Sequence, residues 1–376
     1  MHHYSHRTCR ANLGSGTRIN YLWQEHIPRE AVRHPFLMHG VLALSALHLA
    51  SARPAQAQKY ASLCDKHQAI ALASYRGILG HITEDVANAI FALSTILSIS
   101  SLARAALRAS LMPEPQHISV DAICELLYMT RGVREVREAA GDAILKGPFS
   151  VLLFGHQRSS DVQVTFSTGL ADTFRSLERM MYQYITNSPE KLRLCLNALE
   201  MLQNVFKNAV YFYTRNELEM GHIWSWTAGV GYDFIKLVQS SYPPALVLCA
   251  YFSMATLMMK HTWYVTTWGR FAFQGIVIAL NGQLREHLDW CYDQLATDIA
   301  GLKHDAASIE TIDELHGEPL RGVPTPDPQV WVDKWSELQQ RERTVIPGQG
   351  TSYYQQTTGM SAQASSHPET QWDSPE

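Results

Sequence analysis

The sequence has few cysteines, and no two of them are close together. Even the closest two, Cys249 and Cys291, lie outside the spacing of any metal-binding or redox motif. A zinc finger or a C-x-x-C redox site is therefore excluded within these 376 residues. Isolated cysteines in apolar runs, such as Cys249 in VLCAYF, are typical of small buried hydrophobic residues and indicate a reducing compartment.

An excess of one charge and the common catalytic motifs are also missing. The chain has 31 lysines and arginines against 35 aspartates and glutamates, which gives a formal net charge of -4. It therefore lacks the global basic bias that favours nucleic-acid binding. No G-x-S-x-G, H-E-x-x-H, Walker A or G-x-G-x-x-G motif occurs in it. We expect that the protein is not an enzyme and uses no cofactor.

Long uninterrupted apolar runs are absent as well. A membrane-spanning helix needs about 18–20 such residues. The longest candidates are residues 35–50, which contain His39 and His48, and residues 244–259, which end at Lys260. We interpret both as core helices of a soluble protein and expect no membrane span.

What the chain does have is helical periodicity. Hydrophobic residues make up 46% of the sequence, which is enough for a sizeable core. No convincing run shows the alternation of a strand, whereas positions recur every three or four residues in segments such as 56–80. We predict an all-α fold, a single large array of sequential antiparallel helix pairs. The predicted helices cover residues 36–52, 56–80, 84–109, 119–146, 170–186, 189–214, 224–240, 243–260, 263–286 and 287–300.

Residue types mark both ends of the predicted helix 119–146. Ser119 is the predicted N-cap, because its hydroxyl can accept a hydrogen bond from a free backbone N–H. Lys146, Gly147 and Pro148 form the predicted stop, with Gly147 in the left-handed conformation and Pro148 unable to continue the helix.

The composition changes near residue 301. We expect a helical regulatory domain over residues 1–300 and a Pro-rich, low-complexity, mostly disordered tail over residues 301–376. Within the tail, residues 329–343 have the spacing of a short amphipathic helix, which either docks on its own domain or binds a partner.

Two clusters of potential ligand residues have plainer interpretations. His2 and His6 would share a helix face with metal-binding spacing, but they lie at a terminus with only Cys9 nearby. Asp289 and Asp293 are four residues apart, yet no D-D-x-x-D motif accompanies them. We interpret the first cluster as a fraying terminus and the second as a solvated helix face, and we expect no metal site.

The basic run Arg131, Arg134 and Arg137 is followed by acidic residues at helical spacing. Glu135 and Glu138 come four residues after Arg131 and Arg134. This pattern is typical of ion pairs on a solvated helix surface, and a phosphate-binding patch is the alternative.

Three histidines lie in the apolar segment 34–51. His34 and His48 would be about 21 Å apart along a helix, and His39 and His48 would point to opposite sides. They cannot share one metal, so we expect them to make separate buried or interfacial hydrogen bonds.

The segment 261-HTWYVTTWGRFAF-273 stands out because its aromatic residues follow a methionine-rich helix. Methionine and aromatic side chains line adaptable apolar cavities, but they also fill ordinary cores. Both interpretations are open. The candidate ligand-pocket residues are Met254, Leu257, Met258, Trp263, Tyr264, Trp268 and Phe271.

Several segments, in order, resemble the C-terminal regulatory domain of fungal zinc-cluster transcription factors of the sterol uptake control protein type. The resemblance covers residues 1–295. The segments are HHYSH at 2–6, 21-YLWQEHIPREAVRHPFLMHGVLALSALHLA-50, 131-RGVREVREAAGDAILKGPF-149, 243-PPALVLCAYFSMATLM-258, Trp263 with Trp268-Gly269, and 288-LDW-290.

The resemblance implies an all-helical regulatory domain that responds to a ligand in the nucleus. It implies an apolar cavity near the C-terminal helices for a sterol or similar small molecule, and a location in the cytoplasm when that ligand is bound. It also implies a homodimer or a pairing with a DNA-binding factor, and control of sterol or secondary-metabolite genes.

One departure from the family pattern is large. Such factors carry a six-cysteine zinc cluster, and these 376 residues contain none. The resemblance therefore leaves two explanations, a truncated factor or a protein that does not bind DNA itself. A helical enzyme or a non-DNA-binding accessory protein of secondary metabolism is the alternative function.

Overall fold

The all-α prediction is confirmed by the structure, a computed structural model. It describes residues 1–11, 17–79, 82–113, 116–154, 162–164, 166, 168–215, 217–259, 262–296 and 309–311. These residues all belong to one compact unit, Met1–Trp335. The expected tail 301–376 lies outside the described residues apart from 309–311, and the predicted helix 329–343 lies wholly outside them.

The regular structure of the described residues consists of sixteen α-helices, one pair of three-residue strands and several short 3-10 or π-helical segments. The strands, β1 Val162–Val164 and β2 Ile309–Thr311, are antiparallel and pair Val162 with Thr311. The helices are α1 His2–His6, α2 Thr17–Tyr21, α3 Ile27–Arg33, α4 Pro35–Ala52, α5 Ala57–Leu79, α6 Glu84–Ser110, α7 Val120–Ala140, α8 Asp142–Lys146, α9 Val151–Phe154, α10 Thr168–Tyr184, α11 Pro189–Thr214, α12 Met220–Gly229, α13 Tyr232–Gln239, α14 Pro243–Thr256, α15 Trp268–Leu280 and α16 Asp289–Ala296.

Helices α2 and α3 are joined by a π-helical segment, Leu22–His26. The segment ends two residues before Pro28, which is the second residue of α3. Proline has no backbone N–H to donate to the carbonyl four residues earlier, and a wider turn at this point accommodates the missing bond. Residues 17–33 are therefore continuously helical, and the chain bends into α4 at His34, whose backbone is extended.

Three predicted helices are shorter or more broken than expected. The predicted helix 119–146 divides at Gly141, whose φ of 54° is the left-handed region that ends α7. The predicted helix 224–240 divides at Val230 and Gly231, both of which have extended backbone. The predicted helix 263–286 begins only at Trp268, and it ends at the left-handed Asn281.

The predicted start of the 119–146 helix is confirmed, whereas the predicted conformation at its end is wrong. The Ser119 hydroxyl does accept a hydrogen bond from the Ala122 backbone N–H at 3.2 Å, so the predicted cap is confirmed. At the other end Gly147 has φ of -90° and ψ of 176°, which is extended and not left-handed. The helix stops there because Pro148 follows, which disfavours helical backbone at Gly147.

Helix α4 lies at the centre of the first half of the chain, between α5 and α6, and α6 packs in turn on α7. In the second half α14 packs along α15 and contacts α11. All six cysteines are buried and unpaired, as the isolated spacing predicted. Burial raises the pKa of Cys195 to about 12, so that thiol stays protonated at neutral pH.

By length and composition alone, α4 and α6 are each able to cross a membrane, and α13 with the following Pro243–Met259 segment passes the same test as a bent pair. Requiring an uninterrupted apolar run was therefore too strict a criterion for excluding a membrane span, and it did not identify α6 as a candidate. In the structure 56% of the apolar window of α4 and 83% of that of α6 are buried inside the protein. Burial against other helices, rather than run length, is what makes them core elements here.

The three histidines of the 34–51 segment contact three different partners. His34 lies 3.6 Å from the Glu30 carboxylate. His39 Nδ1 lies 2.8 Å from Nδ1 of His67 on α5, and His48 Nδ1 lies 3.0 Å from the Thr8 hydroxyl. The expected interfacial hydrogen bonds are confirmed for His39 and His48, whereas His34 makes an ion-pair contact with Glu30, four residues earlier. Within the described part of the chain, no group of three or more His, Cys, Asp or Glu side chains is placed to hold a metal ion.

Candidate functional site

The candidate site lies where α15 crosses α14. A Cβ atom on Gly269 would be 2.6 Å from the Ser253 carbonyl oxygen and 2.5 Å from the Thr256 hydroxyl. Only a glycine permits this close approach of the two helices. The crossing brings Trp268, the first residue of α15, onto the Phe252 ring of α14, with centroids 6.2 Å apart.

Phe252 is the centre of a buried aromatic cluster that joins α12, α14 and α15. Trp226 stacks on it at 4.8 Å, and Trp224 lies at 5.6 Å. Trp224 and Trp268 also meet edge to face, with centroids 6.3 Å apart. Such offset and edge-on contacts are the favoured aromatic geometries. The sequence-based pocket omitted Trp224, Trp226 and Phe252, although the run 222-HIWSW-226 carries two of the three rings.

Trp263 and Tyr264 lie in a turn before α15 and not on a helix as predicted. The turn is held by backbone hydrogen bonds from Val265 to Thr262 and from Trp268 to Val265, each 2.9 Å. Trp263 meets Tyr264 edge to face at 5.4 Å. Its other contact is His48 of α4, at 4.8 Å between centroids, so the turn reaches across to the N-terminal helices.

The seven predicted pocket residues follow one another through the end of α14, the turn and the start of α15. Five of them are buried and two, Leu257 and Trp263, are half-buried. Trp268 and the Trp263–Tyr264 pair belong to the aromatic contacts described above, and Leu257 lies against Gly269. The Phe271 carbonyl accepts a hydrogen bond from the Ile118 N–H at 2.9 Å, which ties α15 to the segment before α7.

Four polar atoms of this aromatic region are buried and have no hydrogen-bond partner among the described residues. They are Nε1 of Trp224, Trp263 and Trp268, and the hydroxyl of Tyr264. Trp226 differs, because its Nε1 donates to the Ala198 carbonyl at 2.8 Å. Burial, and next the charge of Glu219, raises the pKa of Tyr264 far above its ordinary value, so its hydroxyl stays neutral. A buried polar atom without a partner is unusual in a folded protein.

The Tyr264 hydroxyl gives a direct prediction for stability. Tyr264→Phe is expected to change the free energy of unfolding by less than about 0.5 kcal/mol, because no protein hydrogen bond is lost. Tyr4→Phe is the matched control, since the buried Tyr4 hydroxyl donates to the Trp23 carbonyl at 2.8 Å. It is expected to cost about 1–2 kcal/mol. Urea unfolding of both variants is the measurement, and equal losses would contradict the assignment of Tyr264 as unpartnered.

His48 connects the site to acid stability. Burial, and next the neighbouring His3, lowers the pKa of His48 from 6.5 to about 4. A histidine with a depressed pKa in the folded state contributes stability that is fully present above pH 6.5 and is lost as the pH falls towards 4. A fall in pKa from 6.5 to about 4 corresponds to about 3.4 kcal/mol at full strength, which solvent screening of the partly exposed ring reduces to roughly 2 kcal/mol.

We therefore expect His48→Gln to lose less stability than the natural chain between pH 7 and pH 4. Thermal unfolding midpoints across this range are the measurement, with His26→Gln as the control at a histidine that does not contact the site. Parallel pH profiles for the natural chain and His48→Gln would show that His48 does not act in this way.

The other sequence candidates remain apart from this site. Asp289 and Asp293 are exposed on α16, the solvated helix face that was expected. Arg134 and Glu138 pair at 2.8 Å, as predicted.

The pair Arg131–Glu135, at 3.3 Å, corrects the prediction of a solvated surface. Both side chains are buried, because α12 and α13 pack on this part of α7. The Tyr232 hydroxyl donates to the same carboxylate oxygen of Glu135 at 2.7 Å. The i,i+4 spacing gave the partners correctly but did not show that neighbouring helices cover them.

The chain is similar in sequence to known fungal proteins over part of its length. No protein-family model matches the chain. Sterol uptake control protein 2 of Candida albicans is 34% identical over 114 residues, which are 30% of this chain and 15% of that protein. Sterol uptake control protein 2 of Saccharomyces cerevisiae is 36% identical over 108 residues, 28% of this chain and 11% of that protein.

A third relative is the Zn(2)-C6 fungal-type transcription factor afumD of Aspergillus fumigatus, 28% identical over 145 residues. The match covers 38% of this chain and 37% of that protein, so each relative extends well beyond the matched part. The resemblance drawn from the sequence segments is confirmed. The chain is similar to two sterol uptake control proteins over 28–30% of its length and to a Zn(2)-C6 fungal-type transcription factor over 38% of it.

Proposed function

We propose that the chain is the helical regulatory part of a fungal-type transcription regulator, and that a sterol-like apolar molecule controls it. The relatives supply the first half of this proposal, because their names specify sterol uptake control and a fungal-type transcription factor. The observation that carries the second half is the aromatic region of α12, α14, α15 and the turn before α15, in which four buried polar atoms have no partner among the described residues and in which Met254 and Met258 are buried as well. A rigid apolar ligand needs a dry, adaptable wall with a few polar groups, which is what these residues offer.

Ligand control requires that the bound and free states differ. Leu257 and Trp263, the two half-buried members of the candidate pocket, lie on the 3-10 turn after α14 and on the turn before α15. A ligand that enters at this edge displaces the turn from the α14–α15 crossing. Because Trp263 also contacts His48, the displacement is transmitted to α4 and the N-terminal helices.

Under this proposal, DNA is contacted by a segment outside these 376 residues or by a partner chain. The six cysteines of the chain are all buried singly, so none of them belongs to a zinc cluster. The cluster is supplied either by a segment outside these 376 residues or by a DNA-binding partner chain, and the protein acts in the nucleus. Pairing occurs between copies of this chain or with that partner.

A reporter assay tests the proposal. The chain is fused to an unrelated DNA-binding domain in yeast, and reporter output is measured with sterol synthesis intact and inhibited. We expect output to change several-fold with sterol level, and the Trp268→Leu fusion to lose this response while its protein level is unchanged. The fusion Trp290→Leu is the control, because Trp290 stacks on Tyr251 outside the candidate pocket. Output that ignores sterol level in every fusion would refute sterol control.

A further inference from the structure

Three of the unpartnered polar atoms in the aromatic region share one chemical property. An indole N–H donates a hydrogen bond and cannot accept one, so Trp224, Trp263 and Trp268 each lack an acceptor among the described residues. Trp224 and Trp268 are 8% and 1% exposed, and their rings are in contact. Two indole rings on different helices thus meet, and neither N–H has an acceptor in the part of the chain that the structure describes.

The neighbouring Trp226 shows that an indole N–H in this cluster can have a hydrogen-bond acceptor within the protein. Trp226 is as buried as Trp268 and stacks on the same Phe252 ring, and its N–H donates to the Ala198 carbonyl of α11. The unpaired donors of Trp224 and Trp268 are therefore not a general feature of packing around Phe252. A buried donor without an acceptor costs free energy, which a suitable ligand atom recovers.

We propose that the ligand presents a hydrogen-bond acceptor oxygen, a hydroxyl or a carbonyl, to the indole N–H donors of the contacting Trp224 and Trp268 rings. The inference rests on the proposed sterol-like ligand and specifies how the site recognises it. The apolar skeleton lies against Met254, Met258 and the aromatic rings, and the oxygen lies at the indole pair. Trp263 lies on the turn before α15, where its ring is half-buried against His48, and its buried N–H is not assigned to the ligand oxygen in this proposal.

This arrangement distinguishes oxygen-bearing ligands from hydrocarbons. An indole pair makes the same hydrogen bonds to a hydroxyl as to a ketone, because both carry an acceptor oxygen. A hydrocarbon of the same shape leaves both donors desolvated and unpaired. Sites that bind a polar substituent through buried groups reject the analogue that lacks it far more strongly than apolar pockets reject a missing methyl group.

The test uses three compounds with one ring skeleton, cholestanol, cholestanone and cholestane. Each is delivered from cyclodextrin to the purified chain and competes against the fluorescent sterol dehydroergosterol. We expect cholestanol and cholestanone to compete within about threefold of each other, and cholestane to be weaker by about tenfold or more. Equal competition by all three, or competition by cholestanol alone, would overturn the inference but leave the proposed function intact. If none of the three competes and dehydroergosterol does not bind, the proposed function fails and the inference fails with it.

Variants that replace an indole with a phenyl ring test whether Trp224 and Trp268 cause the preference for cholestanol over cholestane. The double variant Trp224→Phe with Trp268→Phe keeps aromatic rings but removes both donors, and it is expected to lower the cholestanol-to-cholestane affinity ratio from about tenfold to near unity. Trp226→Phe is the matched control, because it removes a donor that already has a protein acceptor, and it is expected to keep the ratio. Circular dichroism confirms that each variant is folded. An unchanged ratio in the folded double variant, or in Trp268→Phe if the double variant does not fold, would place the oxygen elsewhere.

Discussion

Gly275→Ala is expected to lower the free energy of unfolding by about 3 kcal/mol or more. A Cβ atom on Gly275 would be 1.7 Å from the Ile118 carbonyl oxygen and 2.8 Å from its carbonyl carbon. These are backbone atoms, and Ile118 is fixed in place by its hydrogen bond to the Phe271 carbonyl one turn earlier on α15. The alanine therefore forces α15 away from the segment that precedes α7 and breaks this bond.

Gly77→Ala is the matched control for Gly275→Ala. Gly77 is exposed on α5 and a Cβ atom there meets no described atom within 4 Å. The same substitution is expected to stabilise the protein by about 0.5–1 kcal/mol, because alanine has the higher helix propensity. Urea unfolding monitored by circular dichroism gives both values. A loss at Gly275 below about 0.5 kcal/mol would mean that α15 does not lie against Ile118.

Arg131→Met is expected to cost about 3–5 kcal/mol at pH 7, because it leaves the buried Glu135 carboxylate without its cation. The Tyr232 hydroxyl remains as a hydrogen-bond donor, but it carries no charge. The double variant Arg131→Met with Glu135→Leu removes both charges and is expected to recover most of the loss. Lys236→Met is the control at an exposed pair, where Lys236 and Asp233 are 2.8 Å apart, and it is expected to cost about 0–1 kcal/mol.

The pH dependence of Arg131→Met has a definite sign. Burial raises the pKa of Glu135 above its ordinary 4.5 even with Arg131 present, and removal of the arginine raises it further. A carboxyl with a raised pKa in the folded state favours folding below pH 4.5, and this contribution is lost as the pH rises through the folded value. The difference in free energy of unfolding between Arg131→Met and the natural chain is therefore expected to become smaller as the pH falls from 7 towards 4.5. A difference that stays constant with pH would show that Arg131→Met destabilises the protein through lost packing and not through the uncompensated Glu135 carboxylate.

Helical periodicity was sufficient to predict the long helices. Helices α4, α5, α6 and α11 begin and end within one residue of their predicted bounds, because their apolar positions recur along the whole element and caps or prolines mark their ends. The breaks at Gly141 and at Val230–Gly231 were missed. Whether a glycine continues a helix or turns it depends on the packing of neighbouring elements, which a single sequence does not report.

The candidate site was predicted only in part, for a related reason. Met254, Trp263, Tyr264 and Trp268 are close in sequence and could be grouped from composition. Trp224 and Phe252 join Trp268 only because α12 packs on α14 and Gly269 allows α15 to approach, and these contacts are not local in sequence. The burial of Arg131 and Glu135 was missed for the same reason, since i,i+4 spacing specifies the pair and not the helices that cover it.

The proposed binding of a sterol-like ligand at the aromatic cluster around Phe252 is tested most directly by energy transfer. Dehydroergosterol accepts energy from excited tryptophan, so its sensitised emission on titration into the purified chain reports binding next to the indole rings. We expect saturable emission at one ligand per chain, and binding weaker by about tenfold or more in a folded Trp268→Leu variant but not in Trp290→Leu. Emission that never saturates, or that is identical in the natural chain and Trp268→Leu, would contradict a ligand site at this cluster.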